Sequence, residues 1–288
     1  MTKSKGEHVF NIINIFILVL LGFSCLFPFV HVLSKSLSSE TAIISGKVFV
    51  LPVKFNIYAY RAAMLNIGLM TSLKFTAVLT VLGTATNIIL TIIAAYPLTK
   101  RNLTGRRIIW IFILITMFIN GGLIPTYLLV KSLGLIDNIW ALILPGAIST
   151  YYMIIMKTYF QNLPESLEES ARIDGANDIL ILLRIIIPLS KPVIATLTLF
   201  YTVGHWNQFM SALIYMNSPK NFTIQLRLRQ LIPTDISLLA MEGQNLLETP
   251  FESLKAASVM FATIPILFVY PRIQKYFIKG IMLGAVKG

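Results

Sequence analysis

Long apolar stretches constrain the fold of this chain more than any other feature. Six stretches reach the length of about 20 mostly apolar residues that an α-helix needs to cross a bilayer: 9–33, 70–98, 108–131, 139–160, 185–214 and 256–279. The first is longer than the apolar core of a secretory signal peptide, and no small-residue cleavage site follows it. Because no period-2 alternation recurs strongly, a membrane barrel is not expected. The sequence therefore predicts an all-α polytopic membrane protein with about six transmembrane helices.

The low charge content excludes an ordinary soluble globule. Only 12% of the 288 residues are charged and 56% are hydrophobic, whereas a soluble domain carries about 25% charged residues. The single cysteine, Cys25, allows no intramolecular disulfide and no zinc cluster, and the three histidines lie too far apart in sequence for a local metal motif. We expect the chain itself to bind no metal and no cofactor.

The net charge of +12 indicates either nucleic-acid binding or membrane topology. Residues 99–107 connect two predicted spans and include four basic residues, and short basic connections stay in the cytoplasm. This assignment puts both termini and the connection 161–184 in the cytoplasm as well. We therefore interpret the positive charge as a topology signal and expect no nucleic-acid partner.

The spans and their connections divide the chain into three parts. Residues 1–69 are predicted to form an N-terminal tail, the first transmembrane helix and an external loop. Residues 70–279 form a core transmembrane domain, which includes a cytoplasmic loop at 161–188. Residues 280–288 form a cytoplasmic C-terminal tail.

The positions of the acidic residues limit the possible energy sources for transport. No Asp or Glu lies in the middle of a predicted span, although ion-coupled carriers usually need ionisable groups there. There is no G-x-x-x-x-G-K-[ST] phosphate loop for ATP hydrolysis. A membrane-embedded enzyme is also disfavoured, because His205 is the one candidate for a buried general base and no nucleophile is evident beside it. Energy for uphill transport must therefore come from a partner.

Five of the twelve acidic residues gather between the fourth and fifth spans, at Glu165, Glu168, Glu169, Asp174 and Asp178. Pro164 suits the first turn of a helix, and Gly175 suits the left-handed conformation that ends one. Asn177 or Asp178 can cap a second helix that enters the fifth span. The pattern predicts a helix, a glycine turn and a helix, which an ordinary solvated hairpin between spans would also form.

The same segment carries a recognisable motif. Glu169-Ser170-Ala171, Gly175 and Ile185-Ile186-Ile187-Pro188 resemble, with matching spacing, the E-A-A…G…I-x-L-P loop of ABC importer permeases. Ser170 and Ile187 replace alanine and leucine, which are close to them in size. The strings WNQF and QKYFIKGIMLGAVKG are similar to the carbohydrate-uptake, maltose-type branch, and FINGGLIPTYLLVKSLGL to permeases for oligosaccharides from complex polysaccharides. The resemblance covers essentially the whole chain.

The resemblance implies the ABC type I importer permease fold and a non-catalytic subunit. In such permeases this loop, here 164–188, is a coupling helix that sits in a cleft of a cytoplasmic ATPase. By position, Glu169 would pair with a basic group of the ATPase, and Ala171 would permit close approach. Gly175 would form the bend, and Pro188 would end the loop at the membrane. The implied coupling residues are Glu168, Glu169, Ser170, Ala171, Asp174, Gly175 and Pro188, of which Asp174 helps to end the helix.

The resemblance also implies partners and a location. The chain would form a heterodimer with a second permease and work with two ATPase subunits, which bind ATP and magnesium. An extracytoplasmic solute-binding lipoprotein would deliver the sugar. Lys279 and Lys287 would reach the ATPases or act as inside anchors. The expected location is the bacterial cytoplasmic membrane, in contact with its lipid. An ABC importer for a non-sugar solute stays an alternative, and an ion-coupled secondary carrier is a less favoured one.

Polar and aromatic residues within the spans are candidates for a substrate path, because sugars bind to aromatic faces and to amide or hydroxyl groups. We select Asn120, Tyr151, Trp206 and Asn207. Such residues also suit hydrogen bonds between helices or positions at the membrane interface.

The sequence TIQLRLRQL at 223–231 alternates apolar and polar residues. A period of two predicts an extended segment that presents Arg227 and Arg229 on one face. We favour simple edge packing of the extracytoplasmic loop for this face, with contact to the binding protein or an acidic sugar as the alternative.

Overall fold

The computed structural model describes residues 5–119, 121–230 and 251–285. These residues are mostly helical and contain no strand, which confirms the all-α prediction. The first helices are α1 (Lys5–Ser36), α2 (Glu40–Ile44), α3 (Tyr58–Leu65), α4 (Ile67–Ala95), α5 (Arg106–Phe118), α6 (Leu123–Ser132), α7 (Trp140–Ile143) and α8 (Thr150–Gln161). They are followed by α9 (Glu165–Ile173), α10 (Asp178–Ile181), α11 (Ile187–Leu189), α12 (Lys191–Trp206), α13 (Met210–Tyr215), α14 (Ile224–Gln230) and α15 (Phe251–Ala285).

Some of the predicted spans are not single helices. Val9–Ser36 of α1 and Ile67–Thr99, which extends α4 through a short 3₁₀ turn, are each long and apolar enough to cross a membrane. The next three stretches are not continuous helices in the structure. These are divided into α5 with α6, α7 with α8, and the segment Asp178–Leu189 with α12. The described residues thus offer two single spans, or up to five if each bent pair is one span; the sixth predicted stretch lies within α15.

Residues that disfavour helix continuation explain these breaks. α6 begins after Gly122, whose φ of +87° is strained for other residues. Pro145 lies at the turn between α7 and α8, and the Ser149 hydroxyl caps α8 by accepting a backbone hydrogen bond of 3.4 Å. At Ser190 the chain changes direction by 81° before α12. A hydropathy window of about 20 residues does not register such single-residue signals.

The chain forms two compact units, Met1–Met70 with Leu228–Ile264 and Thr71–Arg227 with Pro265–Gly288. We call them the N-terminal unit and the central unit. In the N-terminal unit, most apolar side chains of α1 are exposed on this chain. The division at 69/70 and 279/280, and the cytoplasmic side of each terminus, stay predictions.

Two apolar clusters stabilise the central unit. The first joins the end of α4 to α8, α10 and α12 through Ile92, Ala95, Tyr96, Leu98, Met153, Met156, Phe160, Ile181, Ile186, Val193 and Leu197. The second joins an earlier part of α4 to α6, α7, α13 and α14 through Leu79, Val130, Ala141, Leu142, Ile143, Ala212, Tyr215, Met216, Phe222 and Leu226. Leu79 and Ile92 lie about 20 Å apart along the helix axis. α4 therefore connects the two ends of the unit.

Candidate functional site

The polar segment between α8 and α12 adopts the predicted helix, turn and helix. α9 begins after Pro164 and is followed by Asp174. Gly175 has a φ of +83°, the left-handed conformation that ends many helices at glycine. The Asn177 side chain accepts a backbone hydrogen bond of 2.8 Å and caps α10. The local prediction is confirmed. Of the two candidate residues, Asn177 is the one that caps α10.

Small apolar residues attach this segment to the first apolar cluster of the central unit. Ala171 is half-buried and packs with Ala176 against the first apolar cluster. The N–H of Ala176 donates a hydrogen bond of 2.9 Å to the carbonyl of Ala171, which closes the turn. No residue of α9 is fully buried, and the side chains of Glu169, Ser170 and Asp174 are exposed. Of the predicted coupling residues, Glu169, Ser170 and Asp174 thus face solvent, whereas Ala171 lies against the apolar cluster.

Two ion pairs join α9 to the basic connection that follows α4. Lys100 pairs with Glu168, and only 16% and 23% of the two side chains are exposed. Arg101 pairs with Glu165 at 2.9 Å, but these side chains are 84% and 70% exposed. Solvent screens an exposed pair, so it contributes only about 0–1 kcal/mol. The Lys100 pair is therefore the firmer of the two attachments.

A polar cleft of about 380 Å³ lies between this connection and α9. Glu169 lines the cleft together with Arg106 and Arg172. Arg172 pairs with Asp178 at 2.6 Å, whereas Glu169 forms no ion pair within the described part of the chain. Of the three acids of α9, Glu169 is therefore the one whose carboxylate is available to a basic group from another protein.

The second half of the segment is wound irregularly. α10 continues into a π-helical turn at Leu182–Ile186 and then into α11. Pro188 lies within α11 with its ring exposed, two residues before the bend at Ser190. π-Helical turns are rare and occur frequently at functional sites. Sequence reasoning did not identify this turn.

The candidate substrate residues do not gather in one place. Asn120 lies outside the described residues. Tyr151 is exposed, with its ring 5.9 Å from that of Tyr152. Asn207 is exposed, donates to the carbonyl of Val203 at 3.0 Å, and accepts from Gln225 at 3.3 Å. Its amide is therefore occupied by neighbours on the same chain.

Trp206 lines an apolar cavity of about 470 Å³ in the central unit, and Tyr151 does not. Four threonines from two helices share the lining: Thr80 and Thr84 of α4, and Thr198 and Thr202 of α12. The Thr84 and Thr202 hydroxyls lie 3.4 Å apart. The buried Thr80 hydroxyl has no hydrogen-bond partner among the described residues. Sequence reasoning missed these residues, although their i,i+4 spacing places each pair on one helix face.

His205 is surrounded by amides rather than by catalytic partners. Its Nε2 lies 3.2 Å from the side-chain nitrogen of Asn87, and its Nδ1 lies 3.3 Å from Oε1 of Gln208. Gly83 packs against the ring so closely that a Cβ at that position would lie 2.5 Å from Nε2. The Gln208 side chain also donates to the carbonyl of Leu142 at 2.9 Å. This network connects α4 to the end of α12 and gives the imidazole a structural role.

Asp137 connects two loops of the central unit. Its carboxylate accepts hydrogen bonds from the backbone N–H groups of Asn217 and Ser218 at 3.1 and 3.0 Å and from the Ser218 hydroxyl. Asn221 donates to the Asp137 carbonyl at 2.7 Å. Burial alone would raise the pKa of this carboxyl, but hydrogen bonds from Ser218, Asn221 and Asn217 hold it at about 2. The aspartate is thus a fixed anion that ties the loop before α7 to the loop after α13.

The prediction of an extended segment at 223–231 is wrong for its described residues, because 224–230 form the helix α14. The N–H of Ile224 donates to the Thr76 hydroxyl at 2.8 Å, and Thr223 accepts from the N–H of Leu226 at 3.3 Å. These hydroxyls accept hydrogen bonds from backbone N–H groups at the start of the helix. The segment is therefore helical despite the alternation of apolar and polar residues in its sequence. Arg227 donates to the carbonyl of Pro219 at 3.0 Å, whereas the side chain of Arg229 is exposed. In a helix, positions two apart lie on different faces, so the two arginines do not form one surface.

The predictions for the C-terminal tail concern residues that the structure describes little or not at all. α15 extends to Ala285, but the side chain of Lys279 and the whole of Lys287 lie outside the described residues. Their contact with an ATPase stays a prediction.

Comparisons with known proteins agree with the resemblance that the sequence motifs indicate. The profile of a family described as "Binding-protein-dependent transport system inner membrane component" matches residues 87–282. The chain is 42% identical to "Polygalacturonan/rhamnogalacturonan transport system permease protein YtcP" of Bacillus subtilis, over 98% of this chain and 99% of the relative. It is 30% identical to "Trehalose/maltose transport system permease protein MalG" of Thermococcus litoralis, over 99% of each chain.

Among solved structures, a chain of "a bacterial ABC transporter involved in the import of the acidic polysaccharide alginate" has a TM-score of 0.89. The two chains are 33% identical, and the match covers 96% of this chain and 99% of the other. The similarity in three dimensions therefore extends over nearly the whole molecule.

Proposed function

The chain belongs to the family of binding-protein-dependent transport system inner membrane components, and from this premise we propose that it forms one of two non-identical permease subunits of an ATP-driven sugar importer. Members of this family are inner membrane components of transport systems, and the chain is a multi-pass membrane protein. Its proposed partners are a second permease, two ATPase subunits and an extracytoplasmic solute-binding lipoprotein. ATP and magnesium would bind to the ATPases, and this chain would have no catalytic role.

The observation that carries the proposal is the surface of α9. Glu169 and Ser170 are exposed, while Ala171 and Ala176 attach the segment to the cluster that contains α4, α8 and α12. A protein bound to the outer face of α9 would therefore act on several spans at once. This is the arrangement that coupling between ATP hydrolysis and a transmembrane path needs. Glu169 is the proposed partner of a basic group on the ATPase, and such a pair fixes register between two surfaces.

We propose oligosaccharide fragments of an acidic polysaccharide as the substrate class. The relative that is 42% identical is named for polygalacturonan and rhamnogalacturonan, and the chain with a TM-score of 0.89 belongs to an importer of alginate. Both names refer to polymers that contain uronic acids. The relative named for trehalose and maltose, which are neutral, is only 30% identical.

For the substrate path we propose the cavity that Trp206 lines. A tryptophan face stacks on a sugar ring, and four threonine hydroxyls from α4 and α12 offer hydrogen bonds beside it. The Thr80 hydroxyl has no partner among the residues that the structure describes. This supports the proposal, because a buried polar group without a partner costs about 1–3 kcal/mol and a ligand would supply one. Asn120, Tyr151 and Asn207 stay predictions for the same path.

The test is transport by the complete importer in proteoliposomes. The two permeases, the ATPases and the binding protein are reconstituted, and uptake is measured with oligogalacturonides and with maltose. We expect ATP-dependent uptake of the acidic oligosaccharide only. Uptake of maltose alone would overturn the substrate class but not the permease role. Uptake that an ion gradient drives in the absence of the ATPases would instead indicate a secondary carrier.

A further inference from the structure

We infer that Lys100 is a positioning residue that fixes the orientation of α9 relative to α4. The inference rests on the proposed function, because it concerns how movement of the coupling segment reaches the spans. Lys100 is the first residue after Thr99, where the span that contains α4 ends. Its ammonium group pairs with Glu168 in the middle of α9. A single side chain thus bridges the end of a span and the helix on which the ATPase would act.

The surroundings of the ammonium group hold it in place from a second side. Lys100 Nζ lies 4.1 Å from the centroid of the Tyr96 ring, a distance at which the ring attracts a cation. Tyr96 is buried and its ring meets that of Phe160 of α8 edge-on, at a centroid distance of 6.4 Å. The contacts therefore run from Glu168 through Lys100 and Tyr96 to Phe160. They connect α9 to the ends of both α4 and α8.

The other contacts of α9 in the described part of the chain are smaller or more exposed to solvent than the Lys100–Glu168 pair. It has nine residues, and an isolated helix of this length is marginal in water. None of its residues is fully buried, and its apolar contact with the first cluster is through Ala171, a small side chain. The Arg101–Glu165 pair is 84% and 70% exposed. The pair of Arg172 with Asp178 of α10 is 46% and 62% exposed. The half-buried Lys100 pair is therefore the polar contact best placed to transmit a displacement of α9.

The experiment compares Lys100→Met with Lys100→Arg and Arg101→Met in the full importer. Methionine keeps an apolar stem over Tyr96 but removes the charge, and arginine keeps the charge. Arg101→Met is the matched control, because it removes the same charge from the adjacent residue, whose partner also lies on α9. The readouts are copurification of the ATPases, the basal ATPase rate, and the ratio of the rate stimulated by loaded binding protein to the basal rate.

We expect Lys100→Met to retain the ATPases and the basal rate but to lower the stimulation ratio about 5- to 30-fold, which corresponds to a change of about 1–2 kcal/mol in the underlying equilibrium. Lys100→Arg restores most of the ratio, and Arg101→Met leaves it near the wild-type value. A normal ratio in Lys100→Met overturns the inference. An equal loss in Arg101→Met also overturns it, because total charge and not the Lys100 contact would then determine coupling.

A double-mutant comparison separates this role from direct contact with the ATPase. If Glu168 acts through Lys100, the variant with both Lys100→Met and Glu168→Gln loses no more of the stimulation ratio than Lys100→Met alone. Additive losses contradict the inference and indicate that Glu168 acts elsewhere. A wild-type complex that binding protein does not stimulate with any sugar contradicts the proposed function itself, and is distinguished from failure of the inference by that wild-type measurement.

Discussion

The carboxylate of Glu40 accepts a hydrogen bond of 2.9 Å from the backbone N–H of Ser253, 213 residues further along the chain. Its second oxygen accepts from the N–H of Glu252 at 2.8 Å. Both donors lie in the first turn of α15, where backbone N–H groups have no partner within the helix. Glu40 therefore caps a distant helix inside the N-terminal unit and places a negative charge at the positive end of its dipole.

Replacing Glu40 by alanine is expected to lower the free energy of unfolding by about 0.5–2 kcal/mol, the range for loss of a helix cap. Glutamine keeps one acceptor oxygen and should cost less. Thermal unfolding of the purified protein in detergent measures the effect. Glu165→Ala is the control, because its carboxylate belongs to an exposed pair and its loss should change the melting temperature little. Equal melting temperatures for all variants would show that the cap contributes nothing.

Gly83→Ala is expected to destabilise the central unit by about 1–3 kcal/mol, as overpacking does. The added Cβ would lie 2.5 Å from Nε2 of His205, so the ring or the helices must move. Gly204→Ala is a matched control beside His205, because nothing lies within 4 Å of a Cβ there. Adding His205→Ala to Gly83→Ala should recover part of the loss. A Gly83→Ala variant as stable as Gly204→Ala would contradict the close contact.

Glu169→Lys is expected to reduce sugar uptake by about 100-fold or more. Removing one member of a buried charge pair at an interface costs about 3–5 kcal/mol, and reversing its charge costs more. Membrane insertion and melting temperature should not change, since the side chain is exposed. Uptake and ATPase activity of the reconstituted importer are the measurements. Glu165→Lys makes the same change four residues earlier and should cost far less. Normal uptake in Glu169→Lys rejects the coupling role.

Thr80→Val is expected to raise the KM for uptake several-fold without lowering stability. Valine matches threonine in shape and removes the hydroxyl that has no partner among the described residues, so loss of a ligand hydrogen bond of about 0.5–1.5 kcal/mol is the expected effect. Thr86→Val is the control on the same helix, because the Thr86 hydroxyl donates to the carbonyl of Leu82 at 2.8 Å. An unchanged KM in Thr80→Val would exclude contact between this hydroxyl and the sugar.

Asp137 predicts a stability difference that is present at pH 6 and shrinks at acid pH. Its pKa in the folded protein is about 2, below the ordinary value of 3.8. The carboxylate therefore stabilises the fold fully above pH 3.8, and this contribution disappears as the pH falls towards 2. We expect the melting temperature of wild type to exceed that of Asp137→Asn at pH 6, and the difference to shrink below pH 4. A difference that stays constant from pH 6 to pH 3 would contradict this prediction.

Features that depend on neighbouring residues in sequence could be predicted, and features that depend on distant partners could not. Pro164, Gly175 and Asn177 act on the backbone within a few residues, so the turn after α9 followed from the sequence. The helix α14 depends on Thr76, whose hydroxyl accepts from a backbone group 148 residues away. No local pattern contains that information, and the alternation of apolar residues gave the wrong conformation.

The same distinction applies to the candidate site. The acids of α9 were identified as a cluster in the sequence, but their pairing was not, because Lys100 lies 68 residues before Glu168. The sequence did not indicate the threonines of the Trp206 cavity, because none of them belongs to a motif. Their common position is visible only in the structure, where α4 and α12 pack together and the four threonines line one cavity.

The bend at Ser190 has a mechanical consequence for any force applied at α9. The segment Asp178–Leu189 and α12 meet at 81°, close to a right angle. A push along the axis of the first would therefore reach the second as a sideways displacement with almost no component along its own axis. In a bilayer, such a movement tilts a helix without drawing its ends through the two water interfaces, which keeps its apolar length matched to the surrounding lipid.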